Sequence, residues 1–243
     1  MPADRPEISE DQVIPGLWKR YLTTDEYRHS RRVYSISSVH PLVRAAEEKG
    51  LQKLVQVFIG KLSSTANIRE LYTRREKSEW VYEWCKMNDI LLKYVYKDRG
   101  EIRKLGQDVR FGSPGDEERH RIPLGGPHTS LELYALAERI GPELAYINAN
   151  DLEAVCEFLA RTHYEFIRIH PFMDGNGRIA RALTDQIAIS LGLPPIIAGF
   201  PRTVKEKKEK YHAAISGCAD DRLCVTLKIW IQSQMVERLR SIA

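Results

Sequence analysis

The sequence predicts a mostly α-helical fold with one small β-hairpin. Apolar residues recur at helical spacing along most of the 243-residue chain. One stretch, 100–127, departs from that period, with short apolar pieces set around a Pro- and Gly-bearing turn. No internal repeat or low-complexity tract argues for another architecture. A chain of this length fits one to two domains and can bury a substantial core.

The elements follow in order. LVRAAEEKGLQKLVQVFIGKL (42–62) is helix-like, with Gly50 as a break. SEWVYEWCKMNDILLKYVY (78–96) places Trp80, Trp84, Met87 and Leu91 on one helical face, where large residues form core. In GEIRKLGQDVRFGSPGDEERHRIPLGGP (100–127), VRFG and HRIPLG flank SPGDEE, and the pair reads as a hairpin near 109–124. Helical pattern resumes at SLELYALAERI (130–140). A longer helix is expected from Asn150, with Asn150 as N-cap and Glu153 completing a capping-box-like arrangement. Its core positions are Leu152, Val155, Leu159, Phe166 and Ile167. It ends near His170, and another helix begins near Asn176 or Gly177. Gly192 and the Pro194–Pro195 pair stop that helix. Two more helices are expected around 204–217 and 222–240. RTVKEKKEK (202–210), mixed in sign, reads as a solvated helix face.

Composition narrows the function classes. Hydrophobic residues are 43% and charged residues 29%, ordinary for a globular protein. The net charge of +4 is too small to argue for nucleic acid and does not oppose an anionic small molecule. Cys85, Cys156, Cys218 and Cys224 show neither CxxC spacing nor a zinc pattern, and free thiols are expected. The polar, acidic MPADRPEISEDQ is not a signal peptide. No apolar run reaches the roughly 18 residues of a membrane span. The expected location is cytoplasmic, or beyond it through a dedicated secretion apparatus, which would leave no such trace; neither nucleic acid nor membrane is an expected partner.

The chemistry concentrates in HPFMDGNGRIAR (170–181). Glycines let the backbone bend and approach a ligand closely. A helix start offers unsatisfied N–H groups and the positive end of a dipole, which suit phosphate. Arg178 and Arg181, three apart, would share a helix face beside it and suit phosphate oxygens. Asp174 is a hard carboxylate suited to Mg²⁺ shared with phosphates. His170 has a pKa suited to proton transfer near neutrality. Together these predict phosphoryl-type transfer from a nucleotide. The plain alternative is a tight glycine-rich turn with incidental charges, and the clustering argues against it. No Walker A pattern GxxxxGK(S/T) is present, and an EF-hand register counted from Asp174 would need Gly and Glu where Ile179 and Asp185 stand.

HPFMDGNGRIAR resembles the Fic-family signature HPFx(D/E)GNGRxxR at every defined position. ARTHYEFIRIHPF (160–172) is similar to that family's leading helix, GEIR (100–103) to its element before the hairpin flap, and KYHAAISGCADD (210–221) to its Tyr-bearing helix and acidic turn. The resemblance spans about residues 78–235. It implies a Fic-type helical bundle with a hairpin flap as catalytic domain (78–243, including the C-terminal helix), after an N-terminal region (1–77) expected to be helical and of unassigned role. It implies transfer of AMP from ATP, with Mg²⁺, to a Ser, Thr or Tyr hydroxyl of a target protein docked at the flap by strand addition. By the same resemblance His170 is the general base and Asp174 the Mg²⁺ ligand. Gly175, Asn176 and Gly177 form the anion loop, while Arg178 and Arg181 hold the β- and γ-phosphates. Phe172 anchors the loop, and Tyr211 borders the nucleoside. Where relatives often carry Asn beyond that Tyr, this chain has Cys218, which leaves the base preference open. His163 matches the leading helix and reads as a packed or capping residue.

Other readings remain at this stage: transfer of UMP, phosphocholine or phosphate, hydrolytic removal of AMP, or a non-enzymatic nucleotide-binding regulatory module. The intact GNGR argues against phosphate transfer of the Doc kind. Intact His170 and Asp174 argue against a pure binding module, which needs no base. Many Fic enzymes carry an inhibitory helix, (S/T)xxxE(G/N), whose Glu pairs with the second motif arginine, here Arg181. SSTANI (63–68) puts Asn67 where Glu belongs, and SQMVER (233–238) puts Arg238 after Glu237 in place of a small residue. Inhibition by a partner chain is the alternative. Glu237 reads as a solvated charge, so Glu237→Gly should leave self-labelling from radiolabelled ATP nearly unchanged; a large rise in labelling would identify a C-terminal brake.

Overall fold

The computed structural model describes residues 49–50, 53–54, 56–57, 67–93, 99–107, 127–193, 205–219, 221 and 223–242. Among them run seven helices: α1 (Ile68–Thr73), α2 (Lys77–Leu92), α3 (Pro127–Tyr146), α4 (Leu152–Ile169), α5 (Asn176–Ser190), α6 (Lys205–Ser216) and α7 (Val225–Ile242). The hairpin expected at 109–124 and most of the expected helix at 42–62 lie outside the described residues.

The helix α4 is the hub and packs on α3, α5 and α7. Its buried residues include Val155, Leu159, Phe166 and Ile167, as their spacing predicts. The helix α5 is buried on nearly every side, and even its polar Thr184, Asp185 and Gln186 are inaccessible. Trp80, Trp84, Met87 and Leu91 of α2 are fully buried. They continue an aromatic chain. Tyr72 meets Trp80 at 4.9 Å, Trp80 meets Trp84 at 6.0 Å, Trp84 meets Phe166 edge-on at 5.3 Å, and Phe166 meets Phe172 at 6.4 Å. Edge-to-face and tilted pairs of this kind add to plain burial. Arg75 covers the outer end of the chain, 4.7 Å from the Tyr72 ring and 4.6 Å from that of Trp80. Its guanidinium also pairs with Glu83 at 2.8 Å, and Glu83 in turn accepts from Gln186 of α5. The helix α1 joins this core through Ile68 and Tyr72, and Arg69 donates to carbonyls at the end of α3, among them Leu144 at 3.0 Å.

Two boundaries differ from expectation. The cap of α4 is Asp151, not Asn150: its carboxylate accepts from the Ala154 amide at 3.0 Å. Asn150 instead lies in a turn, its amide donating to Asn148 Oδ1, and Glu153 pairs with Lys228 of α7 rather than closing a capping box. The helix α3 runs past Ile140 through Gly141 and Pro142 to Tyr146. A proline there removes one hydrogen bond, and the packing of Ile140 and Leu144 into the core outweighs it. The starts of α2, α5 and α6 fall where the pattern places them; α2 ends at Leu92, and 94–96 of its expected stretch lie outside the described residues. All four cysteines are free thiols. Among the described residues no helix is long and apolar enough to cross a membrane.

Trp84 links α2 to α4 at the middle of the aromatic chain. Trp84→Ala should destabilise the fold by about 3–5 kcal/mol, measured as a shift of the urea midpoint at unchanged slope.

Candidate active site

The helix α4 ends at His170 in a left-handed conformation, φ 49° and ψ 58°. A non-glycine residue is uncommon there and carries strain. Arg103 holds it. Its Nε donates to the His170 carbonyl at 2.6 Å and an Nη to the Ile169 carbonyl at 3.3 Å, satisfying carbonyls at the end of α4. Its backbone amide donates to the Pro171 carbonyl at 2.8 Å.

The loop from Pro171 to Gly175 closes on itself. Asn176 Oδ1 accepts from the Phe172 amide at 2.9 Å, and Asn176 Nδ2 donates to the Phe172 carbonyl at 2.7 Å. The Phe172 ring is buried, an anchor as expected. Asn88 Nδ2 donates to the Asp174 carbonyl at 2.9 Å, while Asn88 Oδ1 accepts from the Gly100 amide at 2.8 Å. Gly175 caps α5 with φ 84°, and a Cβ there would lie 3.0 Å from Leu91 and 3.1 Å from Asn88. Both the backbone and the packing require glycine at that position.

Gly177 is different. Its φ is not positive, and among the described residues an added Cβ would meet only ordinary contacts: Arg181 Nη1 at 3.5 Å and Ile167 at 4.0 Å. Neither its backbone nor those neighbours demand glycine there. What glycine secures is close approach to the start of α5, where the amides of Asn176 and Gly177 point out of the first turn beside the Arg181 guanidinium.

The His170 ring has a defined tautomer. Its Nδ1 lies 3.2 Å from the Ile167 carbonyl, which can only accept, so Nδ1 carries the proton and Nε2 the lone pair. The residue is half-buried. Burial, helped by the Arg103 charge, lowers the pKa to about 4 against the opposing pull of the Ile167 carbonyl and Asp174. The ring is neutral near pH 7.

The two arginines do not act as one pair. Arg178 is buried and meets Asp174 Oδ2 at 3.2 Å. Arg181 lies against the Tyr211 ring, its guanidinium carbon 5.7 Å from the centroid. Tyr211 is only 3% exposed and its hydroxyl is 2.8 Å from His163 Nε2, so little more than a ring edge is left for a nucleoside. His163 is fully buried and packed. Cys218 is buried too, its thiol against the Ala214 carbonyl. Among the described residues no carboxylate ion-pairs with Arg181; Glu237 is exposed on α7, and of SSTANI only Asn67 and Ile68 are described. Neither Asn88 nor Arg103 stands out in the sequence as an individual site residue. The signal for Asn88 was a polar residue inside an apolar helical face, and for Arg103 its place in GEIR.

Asp174 fits the role of a Mg²⁺ ligand. Its Oδ1 accepts from the Gly175 amide, while the buried Oδ2 makes no hydrogen bond and has the Arg178 guanidinium 3.2 Å away as its charge partner. One protein carboxylate is a usual complement when phosphate oxygens supply other ligands.

Residues 81–188 match the Fic/DOC family. The chain carries a Fic/DOC domain. The segment is 33% identical over 100 residues to the protein adenylyltransferase Fic of Drosophila mojavensis and, equally, to that of Drosophila melanogaster. Each alignment covers 40% of this chain and 19% of the relative, so the similarity concerns about a fifth of those longer proteins. The fold is also that of a Fic domain-containing signaling protein from Bacteroides thetaiotaomicron, with TM-score 0.55 and 18% identity over 96% of this chain and 91% of that one. A segment of Fic-1 from C. elegans superposes with TM-score 0.57 and 15% identity over 96% of this chain and 68% of that one. The Fic motif thus sits in a Fic-type helical bundle.

Burial of two neutral imidazoles makes stability depend on pH. His163 is lowered to about 3 by burial and by the Arg181 charge, and His170 to about 4. Both lie below the ordinary 6.5, so the unfolded chain binds more protons in the window between. Their contribution is complete above pH 6.5 and is lost as pH falls towards 4 and 3, by up to about 1.4 kcal/mol per pH unit for each ring. Denaturant unfolding at pH 7 and 5 should show this fall, and His163→Gln should lose less stability over the interval than the wild type.

Proposed function

We propose that this chain is a protein adenylyltransferase: it transfers AMP from ATP to a Ser, Thr or Tyr hydroxyl of a target protein and releases pyrophosphate. The observation that carries the reading is Gly177, a glycine that neither its backbone nor its neighbours among the described residues demand, placed where the first turn of α5 and Arg181 converge. An anion as large as a nucleotide phosphate chain needs that approach.

The residues divide the work as follows. His170 Nε2 accepts the proton of the target hydroxyl, whose oxygen then bonds to the α-phosphorus. The bond from that phosphorus to the bridging oxygen breaks, and its electron pair leaves with pyrophosphate. The Asn176 and Gly177 amides stabilise charge on the α-phosphate, and they need no reorganisation because the Phe172–Asn176 bonds hold them outward. Arg178 and Arg181 hold the β- and γ-phosphates. Asp174 would hold Mg²⁺, which would neutralise phosphate charge when bound. Arg178 meets Asp174 directly, so losing either residue should disturb both metal and phosphate binding. The low pKa of His170 keeps the base unprotonated throughout the neutral range.

The test uses ATP labelled separately on the α- and γ-phosphates, with a lysate as source of targets. Label transferred from the α position supports adenylyl transfer; label from γ alone would assign kinase activity instead. His170→Ala should lower transfer by ~10²–10⁴-fold while ATP binding and the thermal midpoint change little. Equal rates in mutant and wild type would remove His170 from the chemistry.

A further inference from the structure

Three helices meet at a buried polar chain. Thr184 Oγ1 donates its single proton to the Ala180 carbonyl at 2.8 Å. Towards His163 Nδ1, also at 2.8 Å, it must therefore accept. That places the imidazole proton on Nδ1 and makes Nε2 an acceptor, so the Tyr211 hydroxyl donates to it at 2.8 Å. The directions are settled from end to end: Tyr211 to His163, His163 to Thr184, Thr184 to Ala180. Tyr211, His163 and Thr184 are at most 3% exposed.

An apolar trio could fill this space, and a buried polar group is costly unless satisfied. What the chain adds over apolar packing is orientation. The Tyr211 ring stands edge-on to His163 at 82° and packs against Trp230 at 5.2 Å, so it is held on two sides. Above it lies the Arg181 guanidinium, 5.7 Å from the centroid. Among the described residues Arg181 has no carboxylate partner, and the aromatic face is its electrostatic counterpart. Its Nη1 is 3.5 Å from where a Gly177 Cβ would be. The guanidinium is thus suspended between an aromatic platform and the open start of α5.

We propose that His163 and Tyr211 are positioning residues for Arg181: the buried chain fixes the Tyr211 ring, and the ring holds the guanidinium where the terminal phosphates of a nucleoside triphosphate lie. This rests on the nucleotide-transfer reading of the site. Tyr211 then acts on the triphosphate end through Arg181, and Cys218, buried beyond it, has no part in that contact.

The test compares Tyr211→Leu, Tyr211→Phe, His163→Phe and His163→Gln in the full chain. Affinities for ATP and for AMP are measured by calorimetry, with Arg181→Ala as reference. Tyr211→Leu should weaken ATP roughly fivefold and leave AMP unchanged, raising KM for ATP more than it lowers kcat. Tyr211→Phe and His163→Phe should show the same selectivity at smaller size. His163→Gln should recover ATP affinity, because its amide oxygen can accept from the Tyr211 hydroxyl. A purely structural role would lower the thermal midpoint and weaken ATP and AMP alike, and that result overturns the proposal. So does unchanged ATP affinity in Tyr211→Leu when Arg181→Ala weakens it; the nucleotide reading would then stand without the platform. If the wild type binds no ATP, the transfer reading fails, and the ligand-free protein decides separately. The Arg181 Nε–H nuclear resonance should be ring-shifted in the wild type and move in Tyr211→Leu and His163→Phe. An unmoved resonance overturns the proposal.

Discussion

The side chain of Asn176 grips the backbone of Phe172 at both its amide and its carbonyl, at 2.9 and 2.7 Å. That pair of bonds closes the α4–α5 loop into a ring. With both polar groups of Phe172 satisfied inside the loop, the loop need not fold back over the start of α5, and the first amides of that helix stay presented outward. Without Asn176 two buried backbone groups would lose their partners, each at a cost of about 1–3 kcal/mol. Phe172 is also the last ring of the aromatic chain that begins at Tyr72. The loop is therefore seated on the same contacts that hold α1, α2 and α4 together.

Strain sits at the opposite side of this loop. His170 adopts a left-handed backbone that glycine would accept more readily. Arg103 anchors it from a segment distant in sequence, by bonds from both its guanidinium and its backbone amide. The gain is orientation: Nδ1 turns to the Ile167 carbonyl, and Nε2 keeps its lone pair. Burial then holds the ring neutral. Conformation, tautomer and protonation state each have a separate structural cause, and together they suit the proton-accepting role proposed for His170.

The two arginines of the motif show how one helix can give similar residues different surroundings. Arg178 turns inward against Asp174, and Arg181 turns to an aromatic face. An arginine tied to a carboxylate resists displacement and fits a shared metal–phosphate arrangement. An arginine against a ring retains more of its capacity for an incoming anion, because the ring neutralises no charge. The buried Tyr211–His163–Thr184 chain belongs to the second case, and it draws on α4, α5 and α6 together.

Much was legible in the sequence because it depends on local rules. The apolar period of α2 and α4, the glycines at the bend and the break between His170 and Asn176 all reflect backbone conformations set within a few residues. HPFMDGNGRIAR was legible as a family motif for the same reason: a His, a carboxylate, a glycine bend and two cations lie in one short stretch, inside the 81–188 segment that matches the Fic/DOC family. Even so, local rules misplaced the α4 cap by one residue, since Asn150 and Asp151 are both good caps and only the turn geometry chooses between them. They also carried the α3 pattern only to Ile140, where burial of the following turn carries the helix on to Tyr146. Tertiary structure alone decided the rest. Asn88, Arg103, His163 and Tyr211 reach the site from distant positions, and which carbonyl, ring or guanidinium each one meets depends on how helices pack. A sequence specifies such contacts only through the whole core, because no local conformational preference brings α2 to the α4–α5 loop or α6 to Arg181.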